Sequence, residues 1–553
     1  MSLAALSLLS GLAFASPAAV PCAGPAFLPP GGLPRPTFIP PAPPTGTKSE
    51  RDARGVVANR FATDNFVIRW GPSGGVSGAE VERLAAAFED AWDEEVLLQG
   101  HPVPVGSDTF RFNVYIGDSG GGTPPGYGTG GYFDVDSEGY PQIVVSAATL
   151  DTPDFADITA AHEFYHAIQG ATERYPYSGT GAWYWEATAT WASGTVYPEN
   201  PYYAVFLFGY VLFPHLPLNF YEPYAEGDLT EYYQYGAFIW PWYLTEVAAD
   251  RRLIQESWTD TGTETDPLEV LRDRLADRGL DMDALWLDHL AANVSWDYLD
   301  PAALALGTDG YPSIPEWDNV IAAEVGAEGT AGWVSGPSAL EPYRYGNNAI
   351  TVETGLHPRM RVELLGGAAG DRSSPATWGG RVVVTRGDAQ EVLPLVMADA
   401  TTGVIELDDL DTADGLTVLI GVTAPANRTW DRERFRYNYR IQPITGADDG
   451  AGDDGSADGT TDDGGADEGS DSAGDEGGGD GAADGGDGGV DSGGGGAPTD
   501  GGSEAGAVDE TDDAAAEDEP VKLDPPGCAA APRATMTWGL LGLGALFARR
   551  RRR

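Results

Sequence analysis

Asp151-Thr152-Pro153-Asp154-Phe155-Ala156-Asp157-Ile158-Thr159-Ala160-Ala161-His162-Glu163-Phe164-Tyr165-His166-Ala167-Ile168-Gln169-Gly170 is the stretch around which the chain is organised. Thr152 and Asp154 are N-cap residue types, Pro153 suits a first helical turn and Gly170 suits a stop, so the pattern predicts one helix here. On it His162 and His166, four residues apart, project from one face, with Ile158 and Phe155 one and two turns earlier. Two imidazoles so placed can share one ion. Glu163 lies beside that face, where it can take a proton from a water polarised by the ion without being a ligand itself. The chain has only six histidines, so a chance His-Glu-x-x-His is expected in about one such chain in a hundred or fewer.

Upstream, Phe66-Val67-Ile68-Arg69-Trp70 reads as a strand. Val81, Leu84, Phe88, Trp92 and Val96 then recur at helical spacing between Gly78 and Leu98. Phe110, Phe112, Val114 and Ile116 alternate with a period of two, which predicts a strand with one buried face, and Gln142-Ile143-Val144-Val145-Ser146 predicts another. Downstream, helical segments are expected over Trp183–Ser193, about Thr230–Val247 and Pro267–Val294, the last broken near Gly279. From about Trp333 to Ile444 the pattern turns to short runs such as Ala349–Glu353, Arg381–Thr385 and Leu416–Ile420 separated by Gly, Asp and Pro, which suggests a β-sandwich. The expected fold class is α+β, with a catalytic unit from about residue 60 to 325 and a sandwich domain from about 332 to 445.

A catalytic zinc takes three protein ligands and keeps a position open for water, so one more His, Glu or Asp is required. Glu186 is the first choice. It is the lone carboxylate in the aromatic stretch Trp183-Tyr184-Trp185-Glu186-Ala187-Thr188-Ala189-Thr190-Trp191, where a buried charge would be costly without a cation beside it. Glu173 and Glu199 are lesser candidates and His215 a further one. Glu231-Tyr232-Tyr233-Gln234-Tyr235 places three tyrosines in a predicted helix downstream. His289, His101 and His357 have no partner at ligand spacing and are expected to be structural.

The segment His162-Glu163-Phe164-Tyr165-His166, followed twenty residues later by Glu186, resembles the gluzincin clan of zinc metallopeptidases. The resemblance implies a zincin-like domain with a small mixed sheet, an active-site helix and an α-rich lower half. It makes His162, His166 and Glu186 ligands of a Zn2+ cofactor, makes Glu163 the base that activates water, implies a tyrosine donor to the tetrahedral oxyanion, for which Tyr235 is favoured over Tyr232 and Tyr233, and implies protein or peptide substrates. Two departures are visible. Metzincins carry a third His six residues after the second, where this chain has Thr172, and thermolysin-like relatives carry an Asp four residues after the ligand Glu, where it has Thr190. Ile143-Val144-Val145 resembles the edge strand along which zincins hold an extended peptide.

The ends and the charge balance point outside the cell. Leu3 to Ala15 is an apolar run ending Ala13-Phe14-Ala15, as a signal peptide does, although no Lys or Arg precedes it. Residues 16–59 read as a Pro-rich linker or pro-segment. The formal net charge is −53, and between Ala447 and Pro520 about 25 acidic residues occur with no Lys or Arg. Such a chain is repelled by phosphate backbones, so nucleic acid is not an expected partner. Residues 446–522 read as a disordered Asp/Gly-rich spacer that cannot offset its chain entropy by burial. Cys22 and Cys528, the only cysteines, lie outside the expected globular parts, so no disulfide framework holds them. In residues 523–553, Pro526-Gly527-Cys528, an apolar run from Ala534 to Ala548 and Arg549–Arg553 resemble the Myxo-CTERM sorting signal of myxobacterial surface proteins. That tail implies a helix engaging the membrane before processing near Cys528, leaving the protein on the outer cell surface or released.

Together these features predict an exported zinc-dependent metalloendopeptidase. Two alternatives stay open: a catalytically inactive zincin-like adhesin or structural protein, and a zinc hydrolase acting on a bond other than a peptide.

Overall fold

A computed structural model describes residues 48–445, apart from 53, 56, 127, 223–228, 249, 297, 299–318, 353–355, 370–375, 388 and 424–432. The expected signal peptide, most of the Pro-rich stretch, the acidic stretch and the expected sorting tail fall outside the described residues. Within them the fold is α+β.

The first half is a five-stranded sheet of order β1-β2-β3-β5-β4, comprising β1 (Asn59–Ala62), β2 (Phe66–Trp70), β3 (Phe112–Gly117), β4 (Gly131–Val135) and β5 (Pro141–Ser146). β2, β3 and β5 run parallel, with Phe66 opposite Phe112 and Asn113 opposite Gln142, whereas β1 and β4 are antiparallel edges. Phe112, Val114 and Ile116 face the helices, as their alternation predicts. The other face is buried as well, because described residues between 48 and 57 pack on it. Val57 packs with Tyr115, Tyr132 and Val144. Tyr115 donates to Asp52 at 3.1 Å, and Arg69 donates to the Arg51 carbonyl at 3.0 Å. Part of the segment expected to be linker is therefore a layer of the fold. Its charged side chains find partners there that a sequence pattern does not display.

The helix α1 (Gly78–Ala91) begins at a Ser77/Glu80 capping box and runs on as a wider π-helical turn, Trp92–Leu98. Next to it lies α2 (Pro153–Thr172), which carries the His-Glu-x-x-His segment. Ala156, Ala160, Ala161 and Ala167 on α2 are buried, and their small size lets neighbouring helices approach closely. The helix passes through Gly170 and stops two residues later, with Glu173 in the left-handed region at φ 50°. Gly170 serves packing instead: a Cβ there would lie 3.2 Å from the Phe133 ring of β4.

The second helix of the site, α3 (Ala182–Val196), packs across α2 and is buried from Ala182 to Thr195. Short helices follow as α4 (Leu207–Val211), α5 (Tyr233–Gly236), α6 (Ile239–Val247), α7 (Arg252–Trp258), α8 (Pro267–Ala276) and α9 (Met282–Ala292). Among the described residues no helix is long and apolar enough to cross a membrane.

From residue 321 the chain forms two five-stranded sheets. One is ordered β11-β10-β14-β8-β6, from β6 (Ile321–Ala322), β8 (Asn347–Val352), β10 (Thr377–Arg386), β11 (Ala389–Pro394) and β14 (Gly415–Thr423). The other is ordered β12-β13-β9-β15-β7, from β7 (Val334–Ser335), β9 (Met360–Ala369), β12 (Val396–Met397), β13 (Thr402–Leu407) and β15 (Phe435–Pro443). Val352, Val382, Val418 and Ile420 of the first share one core with Val362, Leu364, Phe435 and Ile441 of the second. The outer face of the first sheet joins the helical core. Ala349, Val383 and Leu419 belong to that core, and Arg381 pairs with Asp288 of α9 at 2.6 Å. Trp286 lies so close over Gly421 that a Cβ there would fall 2.3 Å from the indole.

Candidate metal centre

Helix α2 presents His162 and His166 one turn apart, with ring centroids 4.7 Å apart and planes at 89°. Helix α3 crosses so that Glu186 reaches both. Its Oε2 lies 3.2 Å from His162 Nε2 and 3.5 Å from His166 Nε2. The ligand atoms of the three residues all fall within 4.8 Å of one another. His162 is 8% exposed, His166 and Glu186 each 1%, so all three are buried and His162 is the one nearest to solvent.

The electrostatics follow from that burial. Burial alone would lower the His166 imidazole, but the Glu186 carboxylate, supported by Glu163, outweighs it and lifts the group to about 9. Burial alone would raise Glu186, and the two imidazoles instead hold it well below the usual carboxylate range. A proton and a divalent cation would satisfy the same lone pairs here, so a metal bound by these residues would displace a proton. Two imidazole nitrogens and one carboxylate oxygen converging in a dry site are the donor set of a catalytic zinc. The residues present fit that ion.

Two supporting residues carry no motif spacing. Tyr177, half-buried in the loop between α2 and α3, donates to Glu186 Oε1, which leaves Oε2 toward the imidazoles. Gln169, fully buried, accepts at Oε1 from His166 Nδ1 at 2.7 Å. Thr190, at the place of the orienting Asp, is buried with its hydroxyl lacking a hydrogen-bond partner, so orientation comes from elsewhere. A lone Gln three residues past a candidate ligand, on the same helix face, was the one available sequence signal for Gln169.

Glu163 is 2% exposed and close enough to raise His166 by its charge. Gly131, at the start of β4, lies against it: a Cβ there would meet Glu163 Cγ at 2.8 Å. Among the three tyrosines, Tyr235 comes to the site, its ring 5.9 Å from that of His162. Tyr233 is buried and donates to the Leu216 carbonyl at 3.2 Å, and Tyr232 stacks on Phe206. Glu173 and Glu199 are exposed, and the His215 carbonyl is bonded by Tyr343 N–H. His101 and His289 are buried, and burial lowers each to about 3. Tyr165 approaches His101 at 3.3 Å, and Asn293 and Tyr298 approach His289 at 3.1 and 3.3 Å. Ile143–Val145 proves to be an interior strand, paired on both sides, and the edge beside α2 is β4. β-branched runs look alike in both positions, because pairing depends on the neighbours and not on the strand itself.

A family described as "Family of unknown function (DUF6055)" matches residues 46–376, more than half of the chain and the whole of the candidate centre. The chain belongs to that family. The match begins just before Lys48, where the described structure begins, and extends into the strands after residue 321, so the family unit spans both the helical core and part of the sandwich. No curated protein matches. A solved structure titled as a family GH115 4-O-methyl-α-glucuronidase with specificity for decorated arabinogalactans is similar at 9% identity and a TM-score of 0.12. That similarity covers 56% of this chain, which spans only about half (47%) of the solved one, and it is too slight to bear on fold or function.

Proposed function

We propose that this DUF6055 chain is a zinc-dependent peptidase with a zincin-like catalytic unit, exported and held at or released from the cell surface. The observation that carries the reading is the convergence of His162 Nε2, His166 Nε2 and Glu186 Oε2 in a buried site beside a fourth ionisable side chain, Glu163. A zinc ion held by those three residues supplies a Lewis acid and lowers the pKa of water at its open position. Glu163 accepts the proton of the attacking water and later passes it to the leaving amine. Tyr235 donates its phenolic hydrogen to the oxyanion that develops on the scissile carbonyl. The apolar run at Leu3–Ala15, the acidic spacer and the tail after Cys528 support export and a surface tether.

Purified chain should carry about one zinc per molecule and cleave quenched peptides in a chelator-sensitive way, with small esters run in parallel as the competing bond type. Glu163→Gln should keep its zinc and lose roughly 10²- to 10⁴-fold in kcat, the range for a lost general base. Zinc-free protein that takes up no metal, or full turnover in Glu163→Gln, refutes the reading.

A further inference from the structure

The hydrogen bonds around Gln169 fix more than its own position. Each of its amide hydrogens is committed. Nε2 donates to the Trp185 carbonyl at 2.9 Å and to Thr188 Oγ1 at 2.9 Å. A backbone carbonyl can only accept. Thr188 has one hydroxyl hydrogen, which goes to the Tyr184 carbonyl at 2.6 Å, and its oxygen also receives the Trp258 indole N–H at 3.1 Å. Toward Gln169, Thr188 can therefore only accept. Turning the amide over would set Oε1 against two acceptors in a site from which water is excluded, since Gln169 and Thr188 are 0% exposed and Trp258 1%.

With the amide fixed, Oε1 faces His166 Nδ1 at 2.7 Å and can only accept, so Nδ1 must carry a hydrogen. In the neutral imidazole that hydrogen leaves Nε2 bare, and Nε2 is the atom aimed at Glu186 Oε2. We infer that Gln169 is a positioning residue that locks His166 in the tautomer able to ligate a metal, its own orientation set by Trp185, Thr188 and Trp258. The lock ties α2 to α3 and α7, so the tautomer of neutral His166 depends on how three helices pack. A histidine ligand that must first change tautomer binds metal less tightly, and losing such an outer partner typically costs about 10- to 100-fold in metal affinity.

The inference rests on the metal centre of the proposed function and not on what that centre hydrolyses. The test uses the full chain, zinc ion with a competing chelator, and urea unfolding as a control for folding. Gln169→Leu, which keeps the volume and removes the acceptor, should bind zinc about 10- to 100-fold more weakly. Gln169→Glu, which as the buried neutral acid keeps an acceptor facing Nδ1 and one donor toward the Trp185 carbonyl or Thr188, should bind zinc more tightly than Gln169→Leu. Because Gln169→Leu could fail to fold, the parent loaded with cobalt(II) provides a second readout. His166 Nδ1–H should appear there as a hyperfine-shifted proton that exchanges slowly with deuterium oxide. Parental zinc affinity in folded Gln169→Leu, or equal losses in both variants, or the absence of that proton in the parent, overturns the inference. A parent that takes up neither metal overturns the centre itself and the inference with it, and is read directly from the first titration.

Discussion

Gly131 is where the edge of the sheet meets the candidate base, and replacing it with alanine separates the packing of the site from its ligands. A Cβ at this position would lie 2.8 Å from Glu163 Cγ, 3.0 Å from Thr159 Cγ2 and 3.1 Å from the Val144 carbonyl oxygen. Ordinary carbon contacts begin near 3.5–4.0 Å, so roughly half an ångström or more must be found toward Glu163 and a few tenths toward Thr159 and Val144 at the same time. Little of it can come from the neighbours. Val144 is on an interior strand paired on both sides, and Thr159 is held by its hydroxyl, 2.8 Å from the Phe155 carbonyl. Relief must come from β4 lifting away from β5 and α2 or from Glu163 turning aside.

If the strand lifts, overpacking of this kind costs about 1–3 kcal/mol. If Glu163 turns, a displacement near 1 Å lowers turnover roughly 100-fold. Gly131→Ala should therefore unfold in urea with about 1–3 kcal/mol less stability, or turn over peptide about 100-fold more slowly, or show part of each. Zinc stoichiometry should stay at the parental value because none of the three ligand residues is touched. Gly78→Ala is the control: its Cβ meets nothing, and its stability should stay within about 0.5 kcal/mol of the parent or rise slightly. A Gly131→Ala protein that matches the parent in both urea midpoint and kcat refutes the close approach of β4 to Glu163.

Two further outcomes concern the fold. Glu95 in the π-helical turn is 0% exposed, neither carboxylate oxygen is hydrogen-bonded, and burial, with a smaller contribution from Glu94, raises its pKa well above the ordinary value. Its contribution to stability is thus fully present below the ordinary carboxylate pKa and is lost as pH rises toward the folded pKa, at about 1.4 kcal/mol per pH unit. Glu95→Gln lacks that slope, so its advantage over the parent in urea unfolding should widen with pH from about 4 upward; parallel profiles would show that Glu95 is not buried neutral. The second concerns the contact of Trp286 with Gly421 and the Arg381–Asp288 pair, which make the helical core and the adjoining sheet one unit. Calorimetry of the chain should show a single transition, and a fragment ending before residue 320 should lose at least about 3 kcal/mol by exposing Trp286. Two separated transitions would contradict this.

What the sequence displays and what it hides divide by the range of the interaction. The α2 pattern and the lone carboxylate at Glu186 are local statements, a four-residue spacing and a charge in an aromatic run, and the fold brings those three side chains together. Gln169 is on the same helix, but its meaning depends on a carbonyl and a hydroxyl sixteen and nineteen residues away. Tyr177 lies in a loop with no period to mark it. The layer formed by Arg51, Asp52 and Val57 was hidden by its polar, Pro-flanked surroundings, because these residues meet their partners only across a folded sheet. The start of the sandwich was hidden by the brevity of β6, whose pairing with β8 is set by register and not by its two residues.

The aromatic richness of the helical half then has a chemical use beyond filling volume. Trp258 spends its indole N–H on Thr188, Trp185 gives its own to the Tyr175 carbonyl beneath the site, and Tyr177 gives its hydroxyl to Glu186. Each is a rigid residue with few rotatable bonds and, apart from half-buried Tyr177, almost no contact with water. Long flexible polar side chains could make the same hydrogen bonds only by surrendering more rotamer freedom. In a dry core, unmet bonds are costly, so the orientation of Gln169, and with it the tautomer of neutral His166, is settled by packing before any ion arrives. A substitution far from the ligands, at Trp258 for example, should therefore act on the centre through His166, while a change on the outer faces of the sandwich should not.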